Sequence, residues 1–230
     1  KPMNILITSG GTSEKIDQVR SITNHSTGQL GKMIAERFLD AGFPVTLVTS
    51  PTAVRPKKHP LLTTFLTANV AELQLVLKEQ TTKHQVLIHA MAVSDYSPVY
   101  MTGFETIKGA SNLEQFLHCA NQESKISSDD DYQVLFLKKN PKLISLVKTW
   151  NPEIRLIGFK LLVDVAQDQL LSVARASLEK NQAEIIVAND LRDIQDGKHR
   201  AYLISEQDVQ VAETKAEIAQ KIYNYIINKG

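Results

Sequence analysis

Short apolar segments alternate with segments of helical apolar spacing along most of the chain. Apolar residues that recur every three to four positions predict helices with one buried face, and short apolar runs bounded by polar residues predict strands. The predicted strands lie at residues 5–7, 44–49, 63–66, 84–93, 132–139, 155–161 and 183–187, and the predicted helices at residues 29–42, 70–80, 143–149, 163–180 and 215–228. This alternation predicts an α/β fold with a doubly wound, mostly parallel, Rossmann-like sheet.

Two regions depart from this alternation. Short β segments at residues 202–204 and 209–211 predict a C-terminal β-hairpin. Residues 97–128 have weak apolar periodicity and are rich in glycine, serine and charge, which is typical of a mobile flap, an arm or a surface loop. Residues 109–131, which overlap this region, are predicted to be mobile until a ligand binds. We expect a single domain over residues 1–230.

A polar connection at residues 8–28 separates the first strand from the first helix, and it is longer than usual for such units. Gly10 and Gly11 allow the backbone to turn with exposed N–H groups, and Ser26 or Thr27 is predicted to cap the helix. This combination suits phosphate, although a glycine pair alone is equally consistent with an ordinary strand-to-helix turn. The connection also follows the carboxyl end of a parallel strand, where such sheets bind ligands.

Composition narrows the functional class. The 230 residues include 26 Lys and Arg against 25 Asp and Glu, so no overall charge is available to attract nucleic acid or an anionic membrane. Any anion site must therefore be local. The single cysteine, Cys119, excludes an internal disulfide and is predicted to be a packed small hydrophobe in a helical segment. We find no signal peptide, lipidation motif or membrane-spanning apolar run, and we expect a cytoplasmic protein.

The motifs argue against two common classes of nucleotide enzyme. The glycine pattern is not G-x-G-x-x-G, and the second strand ends at Thr49 and Ser50 where a dehydrogenase would carry an acidic residue for the ribose. A Tyr-x-x-x-Lys pair at Tyr225 and Lys229 is predicted to be a surface pair on the last helix. Residues 26–32 lack the P-loop spacing and its following hydroxyl residue.

Five segments together resemble phosphopantothenoylcysteine synthetase, an enzyme family of coenzyme A biosynthesis. They are residues 7–31 (ITSGGTSEKIDQVRSITNHSTGQLG), 90–98 (AMAVSDYSP), 125–128 (KISS), 139–144 (KNPKLI) and 185–190 (IIVAND). The resemblance covers essentially the whole chain, and its first motif is long and distinctive. Because no flavin-binding decarboxylase domain precedes Met3, the resemblance implies the monofunctional bacterial form.

The resemblance implies a ligase reaction in two steps. The carboxylate of 4′-phosphopantothenate attacks the α-phosphate of a nucleoside triphosphate, typically CTP, and the amine of L-cysteine then displaces the nucleotide from the acyl-nucleotide. It also implies Mg²⁺ as cofactor, without assigned ligands, and a homodimer, with no nucleic-acid or membrane partner. The alternative is a non-catalytic, regulatory nucleotide-binding module on the same fold.

The resemblance also implies site residues. Asn24 and Lys125 are the implied catalytic residues, Lys125 as the cation of a flap that closes over the triphosphate. The implied substrate-binding residues are Gly10, Gly11, Thr12, Asn24, Ser26, Thr27 and Gly28. The implied nucleotide-binding residues are Ala90, Met91, Ala92, Asp95, Lys125, Pro141, Lys142, Leu143, Phe159, Lys160 and Lys180.

Three positions depart from the family pattern. Lys142 stands where an acidic residue is common, residues 158–162 differ from the usual Gly-Phe-Ala-x-Glu-Thr, and Ala176 occupies the position of a second family lysine. From the residues alone, other roles remain open: Asn24 as a turn residue, and Asp95 as a turn or helix cap. In the family, Asp95 would face the ribose, the base or Mg²⁺.

Overall fold

The computed structural model describes residues 3–123, 125–127 and 129–229. The α-helices are α1 (Gln29–Asp40), α2 (Val70–Gln80), α3 (Phe104–Lys108), α4 (Val147–Trp150), α5 (Gln167–Asn181) and α6 (Lys215–Lys229). Short 3₁₀ helices lie at Thr81–Lys83, Leu113–His118, Leu143–Leu146 and Leu191–Asp193. The strands are β1 (Ile5–Ser9), β2 (Ser13–Lys15), β3 (Ser21–Thr23), β4 (Val45–Thr49), β5 (Leu62–Leu66), β6 (Val86–His89), β7 (Tyr96–Gly103), β8 (Gln133–Lys139), β9 (Arg155–Leu162), β10 (Ile185–Asp190), β11 (Ile194–Gln195), β12 (Lys198–His199), β13 (Ala201–Ile204) and β14 (Val209–Ala212).

The described residues form a central eight-stranded sheet in the order β14-β13-β10-β9-β6-β1-β4-β5. The strands from β10 to β5 run parallel, whereas β13 and β14 are antiparallel and form a hairpin at one edge. This confirms both the mostly parallel sheet and the C-terminal hairpin predicted from the sequence. The carboxyl ends of β1, β6 and β9 meet at the middle of one sheet edge, which places the loops that follow them side by side.

Helices cover both faces of this sheet. Ile5 and Ile7 of β1 lie in a cluster with Phe38 of α1 and Ile222 of α6. Leu6, which points to the opposite face because side chains alternate along a strand, packs in a cluster with residues of α2 and α4. Along β10, Ile186 and Ala188 pack against α5. The central strands are buried on both faces, which explains why they read as continuous apolar runs.

The region predicted as a flap, an arm or a loop begins with a regular strand. β7 pairs antiparallel with β8 in a separate two-stranded sheet, with a register shift between Pro98 and Tyr100. β8, predicted as a strand at residues 132–139, is therefore not part of the central sheet. Both faces of this ribbon are at least partly exposed, so β7 lacks a buried apolar alternation and was not predicted as a strand, whereas β8 was predicted at residues 132–139.

Two predicted element bounds were too long. The strand predicted at residues 84–93 ends at His89, since the following backbone leaves the sheet to pair with the loop after β1. The helix predicted from residue 163 starts at Gln167, because the Asp190 carboxylate accepts hydrogen bonds from the N–H groups of Asp164 (2.8 Å) and Val165 (2.9 Å). The long connection also contains the unpredicted hairpin of β2 and β3.

The prediction for Cys119 was wrong. The thiol is exposed, and Sγ lies 3.5 Å from the carbonyl oxygen of Gln115. Its segment is a short 3₁₀ helix in which Phe116 is the buried residue, so the helix has no second buried position for the cysteine. Among the helices of the described residues, none is long and apolar enough to cross a membrane.

Candidate active site

The loop after β1 turns at two glycines that no other residue can replace without movement. Gly10 has a φ of +84°, in the left-handed region, and a Cβ there would lie 2.5 Å from Ser50 Oγ. A Cβ on Gly11 would lie 2.3 Å from the carbonyl oxygen of Asn24. The absence of a side chain at these glycines therefore allows the backbone at Asn24 to pack against the turn, and Asn24 lies beside the end of β1.

A chain of buried hydroxyl groups connects this loop with the loop after β6. Thr12 Oγ1 lies 2.8 Å from Ser94 Oγ and also accepts the Ser94 N–H at 2.8 Å. The Ser94 hydroxyl donates to Asn24 Oδ1 at 3.3 Å, and Asn24 Nδ2 donates to the Val93 carbonyl oxygen at 3.4 Å. The Asn24 side chain is thus oriented by two contacts from the loop after β6, which a simple turn residue would not require.

The amino end of α1 differs from the prediction. Gly28 is the N-cap, with a φ of +82°, and no side chain caps the helix. Neither Ser26 nor Thr27 is the cap, although Thr27 Oγ1 accepts the N–H of Gln29 at 3.2 Å. Glycine is needed here because a Cβ would lie 2.8 Å from Ala53 Cβ, so the backbone itself forms this side of the loop.

A cavity of about 430 Å³ opens beside this loop, at the carboxyl ends of β6 and β9. Eight of the predicted nucleotide-binding residues line it, namely Met91, Asp95, Pro141, Lys142, Leu143, Phe159, Lys160 and Lys180. Ala90 and Ala92 do not line it, and Ala92 instead exchanges backbone hydrogen bonds with Gly10 and Thr12. The residues implied by the family resemblance therefore come from four separate segments around one cavity.

The cavity is also lined by residues that sequence reasoning missed, namely His89, Val93, Ser94, Ile144, Ser145, Val173, Ser177 and Asn181. Ser145 Oγ donates to Asn181 Oδ1 at 3.1 Å, which ties the 3₁₀ helix Leu143–Leu146 to α5. Val173 and Ser177 follow the helical spacing of α5 and carry no distinguishing signal. His89 does carry one, because it is a polar residue in an otherwise apolar strand next to the predicted site.

Asp95 and Lys142 form an ion pair at the mouth of this cavity. Both side chains are more than half exposed, at 60% and 51%, and such pairs contribute at most about 1 kcal/mol. The lysine that replaces the common acidic residue thus neutralises Asp95 in the ligand-free protein. Because the pair is weak, a bound anion can take over Lys142 at little cost and release the Asp95 carboxylate.

Asn140 fixes the segment that carries this lysine. Its Nδ2 donates to the Ser94 carbonyl oxygen at 3.0 Å, and its backbone N–H donates to the Asp95 carbonyl oxygen at 2.8 Å. Its Oδ1 lies 2.7 Å from Ser97 Oγ. Ser94 is therefore held on one side by the β1 loop and on the other by the Asn-Pro segment.

Lys125 is exposed and does not line the cavity. The residue after it, Ile126, is buried, and its N–H donates to Asp17 Oδ2 at 3.0 Å while its carbonyl oxygen accepts from Arg20 Nη2 at 2.8 Å. Ser128, the last residue of the KISS motif, lies outside the described residues. The position of Lys125 is thus set by the turn between β2 and β3.

The Asp17 carboxylate is the centre of this anchor. It accepts the N–H groups of Val19 (2.9 Å) and Arg20 (2.8 Å), and it pairs with the Arg20 guanidinium at 2.7 and 3.1 Å. The Arg20 side chain holds the pKa of Asp17 well below its ordinary value, and the backbone donors of Ile126, Val19 and Arg20 act in the same direction. Asp17 is therefore a carboxylate at neutral pH.

Asp190 of the IIVAND segment has a structural role. Its pKa is lowered by the N–H groups of Val165, Arg192 and Asp164, which all donate to its carboxylate. The pair at Tyr225 and Lys229 lies on α6, with Lys229 Nζ 5.5 Å from the ring centroid, away from the cavity.

Comparison with known proteins agrees with these observations. Residues 1–229 match the family of the DNA/pantothenate metabolism flavoprotein C-terminal domain. The chain is 30% identical over 95% of its length to the Coenzyme A biosynthesis bifunctional protein CoaBC of Methanocaldococcus jannaschii, and it spans 49% of that relative, about half its length.

Two solved structures have the same fold. The DNA/Pantothenate Metabolism Flavoprotein from Streptococcus pneumoniae is 54% identical, with a TM-score of 0.95 over 99% of this chain and 100% of that one. The C-terminal domain of a Coenzyme A biosynthesis bifunctional protein CoaBC is 26% identical, with a TM-score of 0.71 over 97% of this chain and 93% of that one. The chain therefore belongs to the family of the DNA/pantothenate metabolism flavoprotein C-terminal domain.

Proposed function

We propose that this chain is a phosphopantothenate–cysteine ligase, which joins 4′-phosphopantothenate and L-cysteine with consumption of CTP. Its family and its similarity to bifunctional proteins of coenzyme A biosynthesis support this proposal. Two of the five sequence segments that resemble the synthetase, residues 90–98 and 139–144, contribute to one cavity, and a third, residues 7–31, forms the loop beside it.

The observation that carries this proposal is the position of Ser94. Its side chain contacts Thr12 and Asn24 of the β1 loop, its carbonyl oxygen accepts from Asn140, and it lines the cavity itself. The loop assigned to the acyl substrate and the cavity assigned to the nucleotide are therefore in direct contact. A reaction between a carboxylate and the α-phosphate requires this adjacency.

In the first step the pantothenate carboxylate oxygen attacks the α-phosphorus. The new bond is carboxyl oxygen to phosphorus, the bond between the α-phosphorus and its bridging oxygen breaks, and pyrophosphate leaves. Negative charge must be compensated throughout, and Lys142, Lys160 and Lys180 line the cavity for this role. Lys125 adds a fourth cation if its segment moves toward the nucleotide.

In the second step the cysteine amine attacks the acyl carbon. The carbon–nitrogen bond forms, the bond from carbon to the phosphate oxygen breaks, CMP leaves, and the amine loses a proton. The Asn24 amide is suited to the acyl-phosphate because it donates and accepts hydrogen bonds without adding charge. The contacts of Asn24 with Ser94 and Val93 hold the amide in one orientation.

Mg²⁺ fits this site only as part of the co-substrate. Within the described residues, no group of three or more His, Cys, Asp or Glu side chains could hold a metal. Asp95 is the one carboxylate among the residues that line the cavity, and it is paired with Lys142. Mg²⁺ usually retains several waters and binds through substrate phosphates, so we propose that it arrives as the CTP complex.

A nucleotide panel tests the ligase proposal. Purified protein with Mg²⁺, 4′-phosphopantothenate and CTP is expected to release pyrophosphate, to require cysteine for the final amide, and to work less well with ATP. Asn24→Ala should lower turnover by about a hundredfold, as expected for loss of a donor to developing charge, whereas the exposed neighbour His25→Ala should not.

Two results would contradict the ligase proposal or the role of Asn24 in it. Nucleotide binding without pyrophosphate release, under every nucleotide tested, would favour the non-catalytic module. A folded Asn24→Ala variant with parental turnover would remove Asn24 from the mechanism.

We also propose a homodimer in the cytoplasm. The ribbon of β7 and β8, with α3 and the 3₁₀ helix Leu113–His118, forms an arm beside the central sheet. Large apolar side chains on this arm are 43–73% exposed, namely Tyr96, Phe104, Leu113, Leu117, Tyr132 and Leu137. Such concentration of exposed apolar groups is typical of an interface, and the expected occupant is a second copy of the chain.

A further inference from the structure

His89 is a buried polar residue for which the reaction above has no role. It is the last residue of β6, pairs in register with Thr8 of β1 and Gly158 of β9, and is 7% exposed. It lines the cavity at the centre of the sheet edge. A histidine enclosed by the middle strands of a parallel sheet loses hydrogen bonds to water, so hydrogen bonds within the protein must replace them.

The hydrogen bonds of His89 favour one tautomer. Nδ1 lies 2.7 Å from Thr8 Oγ1, and the same oxygen accepts the N–H of Met91 at 3.2 Å. Among the described residues, the Thr8 hydroxyl has no other partner to which it can donate. Donation to Nδ1 satisfies this hydroxyl and puts the proton of the neutral ring on Nε2.

Nε2 is left as a donor toward the cavity. Within the described residues it has no hydrogen-bond partner, although the side chain is more than nine-tenths buried. Nε2 is not among the fully buried unpartnered side-chain atoms of the described residues, so it is open to the cavity and available to an acceptor on a ligand. Burial also lowers the pKa of His89 to about 4, so the ring is uncharged at neutral pH.

The surroundings of His89 indicate which part of a ligand it meets. Met91 and Leu143, next to it in the cavity, are 6% and 2% exposed, whereas Lys142 and Lys180 are exposed at the mouth. Phosphates are better stabilised by the cations at the mouth, and an uncharged base or ribose by the enclosed apolar part. The Nε2 donor of His89 is then available to the nucleoside.

We propose that His89 donates a hydrogen bond from Nε2 to an uncharged acceptor on the nucleoside part of the bound nucleotide, and so helps to select it. The proposal rests on the proposed function for the identity of the cavity ligand. Thr8 is a positioning residue, because its hydroxyl keeps the proton on the nitrogen that faces the cavity.

Calorimetric titration with CTP, cytidine and inorganic tripolyphosphate tests the assignment. His89→Leu should weaken CTP and cytidine by a similar factor of about ten and leave tripolyphosphate unchanged. His89→Gln keeps an amide donor near the Nε2 position and should recover most of the affinity. In turnover assays His89→Leu should raise the KM for CTP with little change in kcat.

A measurement on the unmodified protein does not depend on the folding of a variant. Nitrogen-15 NMR of the imidazole should show Nδ1 unprotonated and Nε2 protonated at pH 7, and CTP should shift the Nε2 proton signal. Thr8→Val should allow the other tautomer to appear.

Each result has a definite meaning. Unchanged CTP affinity in folded His89→Leu, an equal loss for tripolyphosphate, a protonated Nδ1, or the absence of nucleotide binding would each overturn the assignment. Binding of CTP that depends on His89, without pyrophosphate release, would refute the proposed ligase and leave the assignment intact.

Discussion

Individual buried polar residues at strand ends define this site more than any charged cluster does. Thr12 is fully buried and Ser94 is 4% exposed, and each is fully used in hydrogen bonds that join two loops. The sequence indicated Thr12 through its motif, whereas Ser94 was not singled out and His89 was read as part of an apolar strand. A polar residue inside a buried strand is the signal that would have found His89.

At the residue scale we predict acid destabilisation caused by His89. Its folded pKa is about 4 against the ordinary histidine value of 6.5, so between these pH values the unfolded chain binds more protons. The uncharged ring should therefore make its full contribution to the free energy of unfolding above pH 6.5. The free energy of unfolding should fall by up to about 3 kcal/mol as the pH decreases toward 4. Urea unfolding at pH 7.0 and 4.5 measures this loss.

His89→Gln should show a smaller loss between these two pH values than the parent, whereas the exposed His118→Gln should lose as much. A remaining loss is expected, because burial also lowers the pKa values of His84 and His199. An identical loss in parent and His89→Gln would show that the buried ring does not titrate in this range.

At the scale of elements, the turn between β2 and β3 binds the segment that carries Lys125 through hydrogen bonds to Ile126. Asp17 bonds within its own turn and to the N–H of Ile126, which is 109 residues further along the chain. The sequence motif places Lys125 in a flap but gives no contact for that segment. Its contact, Asp17, belongs to the first motif, and only the folded structure shows that the two segments meet.

We predict that Asp17→Asn releases this segment. The amide has one acceptor oxygen in place of two and no charge to pair with Arg20, so it cannot keep the bonds to both Val19 and Ile126. Trypsin should cleave after Lys125 several-fold faster in the variant. Glu123→Gln, an exposed acidic residue in the same segment, is the matched control and should be cleaved like the parent.

Equal cleavage of Asp17→Asn and the parent would mean that the contact with Ile126 does not restrain the segment. Addition of CTP with phosphopantothenate addresses the predicted mobility of residues 109–131, since closure over the nucleotide should slow cleavage in the parent.

At the scale of the whole molecule, the central sheet is covered on both faces while the arm is not. Phe116 stacks on Phe136 at 5.7 Å and on Tyr100 at 6.2 Å, which gives the arm a small aromatic core of its own. Six other large apolar side chains of the arm are 43–73% exposed. A second copy of the chain would bury them.

Light scattering tests the homodimer by its mass, which should be twice 25.6 kDa. Leu117→Glu places a charge on the arm, where the leucine is 56% exposed, and should shift the mass toward the monomer because burying an unpaired charge is costly. Leu75→Glu, at a 72% exposed position on α2, should leave the mass unchanged. A monomeric parent, or equal masses for both variants, would contradict the proposed interface.

The sequence by itself determined the α/β class, the parallel central sheet, the terminal hairpin and the importance of the loop after β1. These follow from periodicity, glycines and motifs, which are local properties of the chain. Tertiary structure alone decided that β7 and β8 pair outside the main sheet, that Ile126 is held by Asp17, and that His89 faces a cavity. Strand pairing and burial depend on neighbours that are remote in sequence, so one sequence without its contacts does not specify them.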